Sequence, residues 1–135
     1  MSGHSGAAAG EDFYDYGPQP GEGTRLLGSK GRPWWDIVAS RSGSGGASLT
    51  EVYSFISLKG KNVSIFTMDV TEGQAAAFRS YWNDLYANPG TYHFAGRQCT
   101  TPVANSLRHA GLGNYRAWKP TTLANQLRNS GWTEH

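Results

Sequence analysis

One cysteine sets the terms on which this chain can fold. Cys99 is the single cysteine among 135 residues, so no internal disulfide and no Cys-based zinc cluster can staple the structure. Stability has to come from a buried core, and a chain of this length can build one unaided. The same length fits one domain over residues 1–135, because a second would be too small for a core of its own. Hydrophobic residues make up 38% and charged residues 16%, which excludes a disordered acidic tail and a membrane protein. Twelve Lys and Arg face ten Asp and Glu, for a net charge of +2. That balance gives no indication of nucleic acid or an anionic membrane as partner. No run approaches the roughly 18 apolar residues of a spanning helix. Met1-Ser2-Gly3-His4 has neither the basic nor the apolar region of a secretory signal. A cytoplasmic protein and a fragment of a larger exported parent both fit.

The pattern along the chain predicts an α+β fold. Aromatic residues Phe13, Tyr14 and Tyr16 flank Asp15, and small residues fill Ser5 to Gly10. This predicts strands at 3–9 and 12–16 joined by a turn at Gly10-Glu11. Ala7-Ala8-Ala9 is also compatible with helix, but the glycines and aromatics around it favour strand. Residues 17–33 read as irregular loop, Trp34 to Val38 as a strand or one helical turn, and Ser42 to Gly46 as flexible loop. Val52, Phe55, Ile56 and Leu58 precede the turn-forming Gly60-Lys61-Asn62, and Val63, Ile65, Phe66, Met68 and Val70 follow it. Two antiparallel strands are expected there, at 50–58 and 62–69.

Helices dominate the second half. Thr71 and Gln74 have capping-box spacing, and Phe78, Tyr81, Trp82 and Leu85 form one apolar face ending before Asn88-Pro89-Gly90. A second helix opens after Cys99, tolerates Pro102 in its first turn and carries Val103, Leu107 and Ala110 up to Gly111. A third starts at Pro120, carries Leu123 and Leu127, and stops at Gly131.

The predicted position of Cys99 matters chemically. Unpaired N–H groups and the positive end of a helix dipole favour thiolate over thiol. Its own backbone N–H and the Gln98 side chain are candidate oxyanion donors. The alternative is a small buried hydrophobe. A nucleophilic cysteine needs a base, and four histidines are available. His109 lies ten residues along the same helix, roughly 15 Å away at about 1.5 Å per residue, and the helix dipole suits it there. His135 is terminal and expected to be loose. His93, flanked by aromatics, fits a structural role. His4 remains, among small neighbours that allow another element close approach. Asp15, on the adjoining strand, is the best-placed carboxylate to fix the imidazole tautomer, with a turn or edge acid as the alternative. Trp34 and Trp35, together with Tyr14, are candidate substrate-groove residues. Other chemistries fit poorly. Gly3-His4-Ser5-Gly6-Ala7 misses the last glycine of a nucleophile elbow, Gly60-Lys61 has no P-loop before it, and the histidines show no zinc spacing. No metal or cofactor is expected.

These residues resemble a known family. Gly3 to Gly10, followed by Phe13-Tyr14-Asp15-Tyr16-Gly17-Pro18, looks like the histidine strand and the next strand of papain-like NlpC/P60 cysteine hydrolases. Gln98-Cys99-Thr100-Thr101-Pro102-Val103 through Leu107-Arg108-His109-Ala110-Gly111 looks like their nucleophile helix. The order here is His, acid, Cys, which resembles the circularly permuted branch and the C-terminal toxin domains of Rhs and other polymorphic bacterial effectors. The resemblance implies a papain-like antiparallel sheet packed on helices, with Cys99 as nucleophile, His4 as base and Asp15 as orienter. It implies a peptidase or amidase acting through a thioester on a protein or peptidoglycan peptide. It also implies type VI-style delivery in interbacterial competition, action in the target-cell cytoplasm or periplasm, and a cognate immunity protein. Permuted members include acyltransferases, so transfer to or from lipid and ester substrates is the alternative chemistry. A non-catalytic interaction module is the alternative class.

Overall fold

Gly10 turns the N-terminal chain back on itself. Its φ of 58° lies in the left-handed region that glycine enters without a steric cost. On either side, β1 (Gly6–Ala9) and β2 (Asp12–Asp15) pair antiparallel, with Gly6 opposite Asp15 and Ala7 opposite Tyr14. The expected hairpin is therefore present, with shorter strands. The computed structural model describes residues 4–18, 29–32, 47–58, 63–88, 91–92 and 99–135. Over these it is a mixed α and β chain with small antiparallel sheets and four helices.

Two sequence expectations fail next to this hairpin. Residues 50–58, expected as a strand, form helix α1 (Leu49–Leu58), entered from the short edge strand β5 (Ala47–Ser48) beside β2. The cause is capping. The Glu11 backbone carbonyl accepts from the Leu49 N–H at 2.8 Å, and its carboxylate accepts from the Thr50 N–H at 3.1 Å. A carboxylate over the first turn satisfies orphan donors and suits the helix dipole. The β-prone composition is overridden. The strand expected at 62–69 shrinks to β6 (Phe66–Thr67), and its partner is the C-terminal β8 (Thr133–Glu134). His135 is tied down as well: its N–H donates to the Ile65 carbonyl at 2.9 Å, and its Nε2 lies 2.7 Å from Thr67 Oγ1. The turn at Gly60-Lys61-Asn62 and the stretches 34–38 and 42–46 lie outside the described residues. Residues 17–33, expected as loop, include β3 (Gly17–Pro18) and β4 (Ser29–Arg32), with β7 (Thr91–Tyr92) pairing on β4.

Helix α2 (Glu72–Ala87) begins as its capping box predicts. The Gln74 N–H donates to Thr71 Oγ1 at 3.1 Å, and the Thr71 N–H donates to Gln74 Oε1 at 2.9 Å. It buries Phe78, Trp82 and Leu85. Tyr14 from β2 stacks on Trp82 at 5.7 Å and meets Phe78 edge-on at 5.8 Å. Helices α3 (Thr100–His109) and α4 (Pro120–Arg128) complete the core with Val103, Ala104, Leu107, Leu123 and Leu127. Burying each of these Val and Leu side chains contributes about 1.5–3 kcal/mol. Polar ties hold α2 against the hairpin. Arg79 Nε donates to Asp12 Oδ2 at 2.9 Å, and the Tyr86 hydroxyl donates to the Asp15 carbonyl at 2.9 Å. His4 and Asp15 sit on this clamped hairpin, and Cys99 at the start of α3.

Candidate active site

The hairpin register brings the first two candidates together. Asp15 is opposite Gly6, so His4, two residues before Gly6, is its diagonal neighbour. His4 Nε2 lies 2.9 Å from Asp15 Oδ2. The carboxylate is 2% exposed and the imidazole 25%. Tyr86 fixes the backbone beneath the acid, accepting from the Asp15 N–H at 3.0 Å and donating to its carbonyl at 2.9 Å.

Cys99 arrives from the other side. It is the residue immediately before α3 and is 1% exposed. The His4 ring lies near enough to its sulfur for each group to shift the other's titration. With Nε2 committed to Asp15, Nδ1 is the nitrogen that serves the sulfur. The Ser5 backbone N–H also favours the ionised sulfur. Thr100 Oγ1 lies 3.9 Å from Sγ and 2.8 Å from Ser5 Oγ.

The charges follow from these contacts. Burial works against a charged His4, but Asp15 and the Cys99 sulfur outweigh it, lifting the imidazole from 6.5 to about 9. Burial likewise pushes the Cys99 thiol up. The His4 hydrogen bond and charge, the Ser5 N–H and the Thr100 hydroxyl bring it below its ordinary value. Both shifts favour an imidazolium–thiolate pair.

The structure thus joins three of the candidates and separates others. Tyr14 is not a groove residue: it is 7% exposed and belongs to the aromatic core. The pleat sends it to the face packed on α2, where its ring is the natural partner of Trp82. Gln98, Trp34, Trp35 and His93 lie outside the described residues. His109 sits in the last turn of α3, its ring 6.0 Å from that of Tyr81.

Ser5, Thr100 and Tyr86 were not among the candidates. The hydroxyl directly after the cysteine was a visible cue for Thr100, and Tyr86 continues the 78–82–86 stripe of α2. The chain matches no family model, no curated protein and no solved structure. Among the described residues, no three His, Cys, Asp or Glu side chains gather as metal ligands, and no helix is long and apolar enough to cross a membrane. A shallow cleft of about 650 Å³ beside α4, lined by Asn114, Thr122, Asn125 and Asn129 among others, contains none of His4, Asp15 or Cys99.

Proposed function

We propose that this chain is a cysteine hydrolase of peptidase or amidase type, on a papain-like fold in the permuted order of NlpC/P60 proteins. One observation carries the reading: an imidazole bonded to a buried carboxylate stands beside a cysteine at a helix start and favours its thiolate. Lone buried cysteines need no such partner.

The chemistry follows from the arrangement. Thiolate Sγ attacks an amide carbonyl, forming the C–S bond, and the developing oxyanion meets the Cys99 N–H at the α3 N-terminus. His4 gives its Nδ1 proton to the departing amine as the C–N bond breaks. Water then attacks the thioester and yields a proton to His4. Collapse releases the acid and restores the thiolate–imidazolium pair. Asp15 holds the ring and stabilises its charge throughout. In this reading the domain is the toxin of a delivered bacterial effector, paired with an immunity protein and directed at a protein or peptidoglycan peptide. The support for that biology is the motif resemblance.

The test is iodoacetamide labelling of folded protein against pH. Wild type should label fast at about pH 6, where an ordinary thiol with pKa near 8.5 is almost wholly protonated, and His4→Ala should slow it. A thiol inert until denaturation would sink the enzyme. It would favour the second reading, an interaction module with a merely buried Cys99, for which the 1% exposure speaks. Expression in a bacterial cytoplasm, with and without an export signal, tests the toxin. Equal growth with wild type and Cys99→Ala in both compartments removes it.

A further inference from the structure

Two residues outside the Cys–His–Asp set, Ser5 and Thr100, form a hydroxyl chain that ends on the sulfur. Thr100 is fully buried, at 0% exposure. Its hydroxyl lies between Ser5 Oγ at 2.8 Å and Cys99 Sγ at 3.9 Å. A threonine hydroxyl has one proton to give and lone pairs to receive another. With the sulfur ionised, one orientation satisfies all three atoms: Ser5 donates to Thr100, and Thr100 donates to the thiolate. The opposite orientation spends the Thr100 proton on Ser5 and turns a lone pair toward a negative sulfur. The Ser5 backbone N–H favours the ionised form of the same sulfur. Ser5 belongs to the strand side of the site and Thr100 to the helix side, 95 positions apart in the chain.

We propose that Ser5 and Thr100 form a thiolate cradle, in which the buried Thr100 hydroxyl, oriented by Ser5 Oγ, holds the sulfur ionised independently of His4. The proposal rests on the hydrolase reading for its purpose, but not for its measurement. His4 supplies charge and the travelling proton. The cradle supplies neutral donors that stay in place whichever way the His4 proton has gone. They add to the recharged His4 when the thioester collapses and sulfur leaves as an anion. Thr100 touches the reacting sulfur, while Ser5 is a positioning residue acting through it.

The experiment is the pH dependence of iodoacetamide alkylation for wild type, Thr100→Val, Thr100→Ser and Ser5→Ala, each confirmed folded by circular dichroism. Valine keeps the shape and loses the hydroxyl. Its labelling midpoint should rise by about one pH unit, a tenfold loss of thiolate at lower pH. Serine keeps the hydroxyl and should restore the wild-type midpoint. Ser5→Ala frees the Thr100 proton and should shift the midpoint the same way by a smaller amount. An unchanged midpoint in Thr100→Val overturns the cradle. So does a shift in Thr100→Ser as large as in valine, which would assign the effect to packing. If valine does not fold, an unchanged midpoint in Ser5→Ala overturns it. Failure of the hydrolase reading looks different: the midpoints move as stated while wild type shows no turnover and no toxicity.

Discussion

Two of the pairings of opposite charge among the described residues differ in an instructive way. At the C-terminal end, Arg128 grips Glu134 with two bonds of 2.8 Å, from Nε to Oε1 and from Nη2 to Oε2. At the site, His4 makes one contact of 2.9 Å with Asp15. On geometry alone the surface pair is the better one, since a two-pronged guanidinium–carboxylate match is the strong form of this bond. Exposure reverses the ranking. Arg128 and Glu134 are 45% and 38% exposed, whereas Asp15 is 2% exposed. Water and salt screen the first pair and cannot reach the carboxylate of the second. With the Cys99 sulfur alongside, the buried carboxylate lifts the histidine to about 9.

Asp15→Asn breaks the buried pair at its charged end and should have the largest effect. The amide keeps the volume but removes the Asp15 charge, which together with the Cys99 sulfur outweighs the burial of His4. The alkaline limb of activity should fall from about 9 toward 6.5, and turnover should drop by about 10⁴, as for the equivalent change in a serine triad. A pH–rate profile checks both. An unchanged alkaline limb would mean that the sulfur alone sustains the raised histidine. Asp15→Ala removes the partner altogether and should cost about 3–5 kcal/mol, the usual result of stripping one member from a buried pair, read from urea denaturation.

Tyr86→Phe comes next. It leaves the Asp15 carboxylate in place and removes the hydroxyl that bonds both Asp15 backbone groups, at 3.0 and 2.9 Å. The expected cost is about 1–3 kcal/mol in urea. Turnover should fall with a displaced Asp15, while Cys99 labelling at alkaline pH should be spared. A loss of stability without any change in turnover would separate the clasp from the site.

How much of this could be read in advance depended on how far apart the partners lie in sequence. Helix α2 was legible because Thr71 and Gln74 cap it from three residues apart. The hairpin was legible because Gly10 and the aromatics of β2 are local. Helix α1 was not, because its cap is Glu11, 39 residues before Thr50, and local β-propensity pointed the other way. The same rule divides the site. Cys99, His4 and Asp15 emerged because only one cysteine exists and helix geometry removes His109. Thr100 and Tyr86 act through partners 95 and 71 residues away, and no local pattern marks a hydroxyl for such a role. Tyr14 misled for a related reason: an aromatic beside the acid looks like a groove residue until the pleat assigns it to the core.

The pH dependence of stability sharpens the contrast through opposing slopes. His4 is raised, so its contribution is complete below pH 6.5 and is lost as pH rises through about 9. Cys99 is lowered, so its contribution is present above the ordinary thiol value and is lost as pH falls through its folded one. Across the window between 6.5 and 9 the two trends work against each other. The wild-type urea midpoint should therefore vary little there. A steep fall toward alkaline pH would show a histidine raised without a sulfur partner.

The smallest effect belongs to Glu134→Gln. Despite two short bonds, Glu134 lies at the surface with its carboxyl lowered by Arg128. Removing the charge exchanges one solvated arrangement for another, because the guanidinium can turn to water. The β6–β8 pairing does not need it: the backbone contact from the His135 N–H to the Ile65 carbonyl remains. The urea midpoint at about 0.15 M salt, where charges separated by more than about 8 Å are screened, should match wild type. Cys99 labelling should match as well. If Glu134→Gln instead destabilised the protein as much as Tyr86→Phe does, bond geometry and not burial would set the value of a charged contact in this fold.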